Sequence, residues 1–263
     1  YCGILGHPLK NPRSIKIWKS FFKKNKVICD MRGFDIKPRN LKKFFILIKK
    51  DKNFLASAVT MPYKIKSKEF TKSLDTYAKY SGSVNLIIKK YEKLYGFNTD
   101  IQGALKSIEK KINFYQNITL IGYGGTGSAI LNYLVKKYKK NYLLVSSKNK
   151  HPIIIKKNCK VVRKLTKSDL EKKQLIMNCT PLGSDLKIKF INKTPLSLKQ
   201  INNLNKKSFV FDIVYKPKKT KLFKLCRKAK ISYKNGLEMN TLQAQIALSI
   251  LIKNFLIFKN CSF

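Results

Sequence analysis

The sequence predicts an α/β protein with two domains. Residues 118–129 read ITLIGYGGTGSA, an apolar, β-prone run that enters the pattern Gly122-x-Gly124-x-x-Gly127 and then a helix-compatible stretch to about residue 138. In this context the three glycines permit a tight turn, a close approach of backbone to a pyrophosphate and close packing of helix on strand. A long segment of alternating strand and helix signals precedes the motif. We therefore expect a Rossmann-type, doubly wound nucleotide-binding domain preceded by an N-terminal α/β substrate domain.

Strand and helix signals alternate over the first hundred residues. Extended runs at 1–5, 27–36 and 54–60 are separated by stretches with helical spacing of apolar residues at 14–24 and 38–50, which predicts a βαβαβ arrangement. A helix at 74–80, an extended run at 83–89 and a turn into 95–97 follow. These elements complete the predicted first domain.

The rest of the chain has the pattern of a doubly wound parallel sheet. A linking helix is expected over 100–112. Predicted strands then alternate with helical or loop segments, and an amphipathic helix closes the chain at 243–258. The predicted strands are 117–122, 142–146, 159–163, 174–178 and 208–212.

Composition favours a globular protein without a polyanionic partner. The 263 residues are 44% apolar and carry a formal charge of +44, which by itself suggests nucleic acid or an anionic membrane. Of the 57 basic residues, however, only five are arginine, the residue that reads phosphates and bases by bidentate contacts. Lysine is spread along the whole chain, which indicates compositional drift toward A/T-rich codons. A non-catalytic, lysine-rich nucleic-acid binder is the alternative from another class, and it would need basic residues clustered on one face.

Cysteine spacing and hydropathy indicate the cellular compartment in which we expect the protein. The six cysteines have no C-x-x-C spacing, so we expect reduced thiols, a cytoplasmic location and no metal site. No run approaches the roughly eighteen apolar residues that span a bilayer, so no membrane association is expected.

Acid–base groups are scarce. The two histidines, His7 and His151, both precede prolines in apparent turns, so a general acid or base should be lysine, tyrosine or a carboxylate. Asp100 stands out in Gly96-Phe97-Asn98-Thr99-Asp100, with a helix N-cap as its alternative role. Lys64 follows the third predicted strand, at the position where open α/β sheets bind ligands, with a solvated surface lysine as the alternative.

Taken together, these motifs resemble the shikimate dehydrogenase family over nearly the whole chain. The matching stretches, in order, are Gly6-His7-Pro8-Leu9 with Ser14, Val59-Thr60-Met61-Pro62-Tyr63-Lys64, Gly82-Ser83-Val84-Asn85, Gly96 to Asp100, the glycine loop Gly122 to Gly127, Asn178-Cys179-Thr180-Pro181-Leu182-Gly183, Asp212 to Pro217 with Thr220, and Gly236-Leu237-Glu238-Met239 with Gln243-Ala244.

The resemblance implies an activity, a role for each domain and a set of site residues. It implies NADP(H)-dependent interconversion of shikimate and 3-dehydroshikimate, on the way to chorismate and aromatic amino acids, by a monomer or homodimer. Residues 1–100, completed by the C-terminal helix within 238–263, would form the substrate and catalytic domain, and residues 101–237 the NADP domain. Lys64 and Asp100 would be the catalytic pair. The implied substrate-binding residues are Ser14, Thr60, Asn85, Tyr215, Gly236 and Gln243.

The same resemblance implies a cofactor site. Residues 145–148 lack the acidic residue that bonds a ribose 2′-hydroxyl in NAD enzymes, and they offer serine and lysine to a 2′-phosphate, so NADP is expected over NAD. The implied cofactor-binding residues are Gly122, Tyr123, Gly124, Gly125, Thr126, Gly127, Ser146, Ser147, Lys148 and Ile213.

Three departures from the family pattern bear on the substrate and the cofactor. Pro12 replaces a carboxylate-binding serine, and Arg13 beside it is a candidate replacement ligand. Ala58 and Leu86 stand where the family usually has Asn and Thr, and the usual Asn-Arg-Thr at 146–148 is Ser-Ser-Lys. Pro12 and Ala58 keep open a divergent paralogue that acts on quinate or a related polyhydroxy cyclohexane carboxylate.

Overall fold

The structure, a computed structural model, describes residues 1–10, 12–146, 158–258 and 260–262. The chain divides into two compact units, Tyr1–Gly103 with Thr241–Phe263, and Ala104–Asn240. Each unit is built on a β-sheet with helices, so the predicted α/β fold class is confirmed. Most of the last helix of the chain belongs to the first unit.

The first unit contains a mixed sheet in the order β2-β1-β3-β5-β6-β4. Strands β1, β2 and β3 are mutually parallel, whereas β5 runs antiparallel to both β3 and β6. Its elements are β1 (Cys2–Gly6), α1 (Arg13–Lys24), β2 (Met31–Asp35), a 3₁₀ turn (Pro38–Asn40), α2 (Leu41–Lys50), β3 (Ala56–Val59), a 3₁₀ turn (Lys66–Phe70), β4 (Ser73–Leu74), α3 (Thr76–Ser81), β5 (Leu86–Lys90), β6 (Lys93–Phe97) and the start of α4 (Thr99–Ser107).

Alternation along the strands divides this sheet between two apolar cores. Ile4 of β1 packs in the same core as Trp18 of α1, while the next residue, Leu5, packs in the core of Phe45 from α2. The same alternation separates Leu86 and Ile88 from Ile87, because successive side chains of a strand point to opposite faces. Helices therefore cover both faces of the sheet and leave the strand ends to carry polar groups.

The second unit contains a parallel sheet in the order β12-β11-β10-β7-β8-β9. Strands β8 and β9 follow on one side of β7, and β10, β11 and β12 follow on the other, which is the doubly wound arrangement. Its elements are α5 (Glu109–Phe114), β7 (Asn117–Ile121), α6 (Gly125–Lys137), β8 (Asn141–Val145), β9 (Cys159–Val162), α7 (Lys167–Leu170), β10 (Gln174–Asn178), α8 (Ile188–Ile191), α9 (Leu198–Asn202), β11 (Phe209–Asp212), α10 (Lys221–Lys228), β12 (Ser232–Asn235) and the first turn of α11 (Leu237–Asn254), which is followed by a 3₁₀ turn (Leu256–Phe258).

Several element boundaries differ from the predictions. The run 27–36 becomes strand only at Met31, because the N–H of Cys29 donates to the carbonyl oxygen of Val27 at 3.0 Å, a tight turn that interrupts the extended chain. The single linking helix predicted over 100–112 is two helices, α4 and α5. The hydroxyl of Ser107 donates to the carbonyl oxygen of Ala104 at 2.7 Å, a local bond that competes with helical pairing. Helix α11 begins at Leu237, before the predicted start at 243, and ends at Asn254 rather than 258.

Candidate functional site

Lys64 is held in place by backbone bonds on the loop after β3. The N–H of Thr60 donates to the carbonyl oxygen of Leu5 at 2.9 Å, and the N–H of Val84 donates to the carbonyl oxygen of Lys64 at 2.7 Å. Between them the buried Tyr63 donates its hydroxyl to the carbonyl oxygen of Ile36. The backbone of the lysine loop is thus tied to β1, to the segment before α2 and to the entry of β5.

The ammonium group of Lys64 pairs with Asp100 in the first turn of α4. Lys64 Nζ lies 2.7 Å from Asp100 Oδ2, and the two side chains are 34% and 26% exposed, so the pair is half-buried and still reachable. Asn98 takes the capping role that was the alternative for Asp100, because its Oδ1 accepts from the N–H of Ile101 at 3.1 Å. The Asp100 carboxylate is therefore available to the lysine.

Two predicted substrate-binding residues meet on Thr99, the residue before Asp100. Asn85 Nδ2 donates to Thr99 Oγ1 at 3.0 Å, and the Thr99 N–H donates to Asn85 Oδ1 at 2.8 Å. Thr99 Oγ1 also donates to Gln243 Oε1 of α11 at 3.3 Å. Asn85 and Thr99 are buried. The structure thus joins β5, α4 and α11 through one hydroxyl, in the segment that carries the ion pair.

Sequence reasoning gave Asn98 and Thr99 no role. Asn98 Nδ2 donates to Ser81 Oγ at 2.8 Å and to Ser83 Oγ at 3.0 Å, which ties α4 to the turn after α3. Thr99 links Asn85 and Gln243. Both residues belong to the Gly96-to-Asp100 motif, so their position in the motif was the available signal. Their partners, however, are 14 to 144 positions away and follow only from the fold.

Arg13 and Ser14 form the first turn of α1, beyond the carboxyl end of β1. Pro12 occupies the N-cap and has no side-chain capping bond, Arg13 is exposed and Ser14 is half-buried. The preceding loop is fastened by Asp35, whose carboxylate pairs with His7 Nδ1 at 2.6 Å and accepts from the N–H of Leu9 at 3.2 Å. The hydrogen bond with His7 holds the pKa of Asp35 below its usual range.

In the second unit the glycine loop has the shape that a pyrophosphate requires. Gly122 has a φ of +99°, which favours glycine, and a Cβ at Gly127 would lie 2.1 Å from the carbonyl oxygen of Gly122. A Cβ at Gly124 or Gly125 would meet no atom of the described residues within 4 Å. Helix α6 begins at Gly125 with no acidic residue in its first turn. These residues fit a bound dinucleotide, because open N–H groups and the positive end of a helix dipole attract phosphate.

The remaining cofactor predictions are only partly within the described structure. Tyr123 and Thr126 are half-buried on the glycine loop, and Ser146 is buried directly after β8, where its N–H donates to the carbonyl oxygen of Val162 at 3.0 Å. Ser147 and Lys148, the residues predicted to face a 2′-phosphate, lie outside the described residues.

At the carboxyl ends of β10 and β11 lies a buried carboxylate that the sequence did not single out. Asp212 is fully buried, and burial raises the pKa of its carboxyl group. It accepts hydrogen bonds from Asn178 Nδ2 at 2.9 Å, the Val214 N–H at 3.0 Å, the Tyr233 hydroxyl at 2.9 Å and the Thr220 hydroxyl at 3.3 Å. The network fixes the start of the segment that carries Ile213 and Tyr215.

Gly236 and Ile213, which were predicted to bind substrate and cofactor, are in contact. A Cβ at Gly236 would lie 2.2 Å from the carbonyl oxygen of Ile213, so only glycine fits here. Tyr215 is half-buried two residues further along. These residues belong to the second unit, whereas the Lys64–Asp100 pair belongs to the first.

The described ranges hold neither a group of metal ligands nor a membrane-spanning helix. Within them, no three side chains of His, Cys, Asp or Glu are grouped so that they could hold a metal ion. None of the helices described there is both long and apolar enough to cross a bilayer.

A chain that combines a Rossmann-type unit with an α/β unit carrying a half-buried Lys–Asp pair has the parts of a two-domain, nucleotide-dependent oxidoreductase. Comparison with known proteins agrees. Residues 4–87 match the model of the shikimate dehydrogenase substrate binding domain. The shikimate dehydrogenase (NADP(+)) of Clostridium beijerinckii is 30% identical over 246 residues, which cover 93% of this chain and 88% of that protein. The chain therefore belongs to the shikimate dehydrogenase family.

Solved structures share the fold. A shikimate dehydrogenase in complex with NADP⁺ superposes with a TM-score of 0.78 at 25% identity, covering 98% of this chain and 93% of the other. The 5-ketofructose reductase of Gluconobacter sp. strain CHM43 has the same TM-score of 0.78 at 18% identity, with coverage of 96% and 92%. The second likeness is one of fold alone, and it shows that this fold also occurs in a reductase with another name.

Proposed function

We propose that this chain is an NADP-dependent shikimate dehydrogenase, which reversibly reduces 3-dehydroshikimate to shikimate. The observation that carries the proposal is the Lys64–Asp100 pair, with Nζ and Oδ2 at 2.7 Å, on the same segment as the Asn85–Thr99–Gln243 network. Family membership and the name of the Clostridium beijerinckii relative support the substrate and the cofactor. The first unit would bind the substrate, and the second would bind NADP.

Lys64 would act on the oxygen of the reacting carbonyl. When bound, NADPH would supply a hydride to the carbonyl carbon. Negative charge then develops on the oxygen, and the Lys64 ammonium stabilises this charge and donates a proton to it. The Asp100 carboxylate, whose Oδ2 lies 2.7 Å from Lys64 Nζ, would keep the ammonium oriented. In the oxidation of shikimate the proton moves back from the hydroxyl to Lys64.

The other predicted residues would hold the substrate. Asn85, Thr60 and Gln243 offer amide and hydroxyl groups to the ring hydroxyls, and the network through Thr99 fixes two of these groups before substrate arrives. Ser14 and Arg13 would take the carboxylate at the start of α1, where N–H groups without a side-chain cap also favour an anion. The assignment of Tyr215 and Gly236 to substrate binding stays a prediction from the family resemblance.

The cofactor would lie on the glycine loop Gly122 to Gly127. Its pyrophosphate would bind at the start of α6, with Tyr123, Thr126 and Ile213 beside it. Ser146, Ser147 and Lys148 would bind the 2′-phosphate. Lysine offers a point charge rather than a bidentate clamp, so the preference for NADP over NAD should be moderate. A cytoplasmic location and a monomeric or homodimeric state remain predictions from the thiols and from the family.

A second candidate function is favoured by Pro12 and Ala58. Both replace groups that could bond the substrate, and proline offers neither hydroxyl nor N–H. A related substrate such as quinate would then be preferred. Comparing shikimate with quinate separates the two functions.

Substitution of Lys64 tests the mechanism. Lys64→Ala should lower kcat for shikimate oxidation roughly a hundredfold or more, with a smaller effect on KM, because a positioned proton carrier is lost. Lys66→Ala is the matched control: Lys66 also pairs with a carboxylate, Glu69, at 2.8 Å, but its side chain is 60% exposed. Near-normal turnover of Lys64→Ala, or an equal loss in Lys66→Ala, would remove Lys64 from the mechanism.

A further inference from the structure

Two thiols that the proposed reaction does not use lie side by side in the first unit. Cys2 begins β1, and Cys29 lies in the segment that leads into β2. Their sulfur atoms are 3.8 Å apart. The backbone fixes this proximity, because the N–H of Cys2 donates to the carbonyl oxygen of Asp30 at 2.8 Å and Cys2 pairs with Met31 in the parallel register of β1 and β2.

The two thiols differ in access to solvent. Cys2 is fully buried in the core beneath α1, whereas Cys29 packs at the edge of that core and is partly exposed. A small oxidant can therefore reach Cys29 first, while Cys2 stays behind it. Neither residue is among those assigned to substrate or cofactor.

The electrostatics of the pair favour the same order. The hydrogen bond between the sulfurs lowers the pKa of Cys29 below its ordinary value, and it raises the pKa of Cys2 well above it. The other partly exposed thiol, Cys261, differs, because burial raises its pKa. The thiolate is the nucleophile in thiol oxidation, so Cys29 should react before Cys261.

We propose that Cys2 and Cys29 form a redox-active dithiol that a hydroperoxide converts to an intramolecular disulfide. In the first step the Cys29 thiolate attacks one peroxide oxygen: the S–O bond forms, the O–O bond breaks, Cys29 is oxidised to a sulfenic acid and the peroxide is reduced to an alcohol or water. In the second step the sulfur of Cys2 attacks the sulfur of Cys29, the S–O bond breaks, and the departing hydroxide takes the Cys2 proton as water.

The fold permits the second step without unpairing the strands. Closing the sulfur–sulfur distance from 3.8 Å to that of a disulfide requires a movement of about 2 Å, which side-chain rotation can supply. The new bond would tie the first residues of β1 to the entry of β2. It would enclose residues 3–28, among them the loop and helix that carry Arg13 and Ser14.

Peptide mapping tests the proposal. The reduced full-length chain is treated with an equimolar amount of hydrogen peroxide, free thiols are blocked with N-ethylmaleimide, and tryptic peptides are examined without reductant. We expect one dominant cross-link, between the peptide carrying Cys2 and the peptide of residues 27–32, that disappears with dithiothreitol. Cys29→Ser should abolish it. Cys261→Ser, the matched control with its partly exposed thiol, should leave its yield unchanged.

A second variant traps the intermediate. In Cys2→Ser the sulfenic acid at Cys29 has no resolving thiol, while the serine hydroxyl can still donate to the Cys29 sulfur, so labelling of Cys29 by dimedone should rise at least fivefold over wild type. Labelling of Cys261 should not change. Oxidation of Cys29 and Cys261 at equal rates with no Cys2–Cys29 cross-link would overturn the proposal. The wild-type and Cys29→Ser maps decide the question by themselves if Cys2→Ser does not fold.

Discussion

At the scale of single residues, Pro12 and Arg13 pose the sharpest question about the substrate. At a carboxylate-binding position proline removes at least one hydrogen bond, roughly 1.5 to 3 kcal/mol for a charged acceptor if nothing replaces it. Arg13 is exposed in the first turn of α1, and its guanidinium can bind a carboxylate by two bonds. We infer that Arg13 takes over from the missing serine.

Steady-state kinetics of two variants test this compensation. Arg13→Ala should raise KM for shikimate at least tenfold, while Pro12→Ser in the native background should change KM little. An unchanged KM in Arg13→Ala together with a marked improvement in Pro12→Ser would mean that the contact has been lost, and it would strengthen the quinate alternative.

Asp212 links protonation to stability. Burial raises the pKa of its carboxyl group above the value of the unfolded chain, about 3.9. The folded state therefore binds the proton more tightly, so this group lowers the free energy of unfolding as pH rises from the unfolded pKa through the raised one. Asp212→Asn removes the titration, and the Thr220 and Tyr233 hydroxyls can accept from the new amide.

Urea unfolding over a pH series measures the effect. The unfolding free energy of Asp212→Asn, relative to wild type, should increase as pH rises from about 4 toward neutrality. Asp212→Ala, which leaves several buried donors unpaired, should be destabilised at every pH. A difference between Asp212→Asn and wild type that does not vary with pH would show that Asp212 does not titrate in this way.

At the scale of elements, Thr99 is a positioning residue that joins β5, α4 and α11. Thr99→Val removes the acceptor of Asn85 Nδ2 and the donor to Gln243 Oε1, at a cost of about 1 to 3 kcal/mol in unfolding free energy. Because Asn85 and Gln243 are proposed to bind substrate, KM should rise more than kcat falls. Thr99→Ser keeps the hydroxyl and should restore KM, whereas a purely structural role would leave KM of both variants unchanged.

Sequence patterns predicted the boundaries of some secondary-structure elements and missed others. Strands β7, β8, β10 and β11 match their predictions to within a residue, because buried parallel strands are short apolar runs bounded by turns. Strand β12 (Ser232–Asn235) was not predicted, since it is a partly exposed edge strand with one apolar residue, Tyr233. The break between α4 and α5 depends on a Ser107 hydroxyl bond that periodicity does not report.

The residues of the candidate site likewise fall into those that sequence motifs identified and those that only the fold revealed. Lys64 and Asp100 were paired through the resemblance of their motifs to the family, and the fold brings their charged atoms to 2.7 Å. The bridge from Thr99 to Gln243 spans 144 positions, and the sequence offers no pattern for it. Local motifs thus identify groups with chemistry, while the side chains that orient them come from long-range packing.

At the scale of the whole molecule, the charge of +44 favours the approach of anionic substrates and cofactors. Shikimate carries a carboxylate and NADP several phosphate charges, so a basic surface raises the local concentration of both. This effect needs no nucleic-acid partner, and it is compatible with lysines distributed along the chain.

The proposed function requires that the protein prefer shikimate as its substrate and NADP⁺ as its cofactor. One set of initial rates measures both preferences. Shikimate and quinate are each offered with NADP⁺ and with NAD⁺, and formation of the reduced nicotinamide is followed to give kcat/KM. We predict the highest kcat/KM for shikimate with NADP⁺, with a moderate loss when NAD⁺ replaces NADP⁺ and a larger loss when quinate replaces shikimate. A higher kcat/KM for quinate than for shikimate would rule out shikimate as the preferred substrate. Equal kcat/KM values with NADP⁺ and NAD⁺ would rule out the preference for NADP.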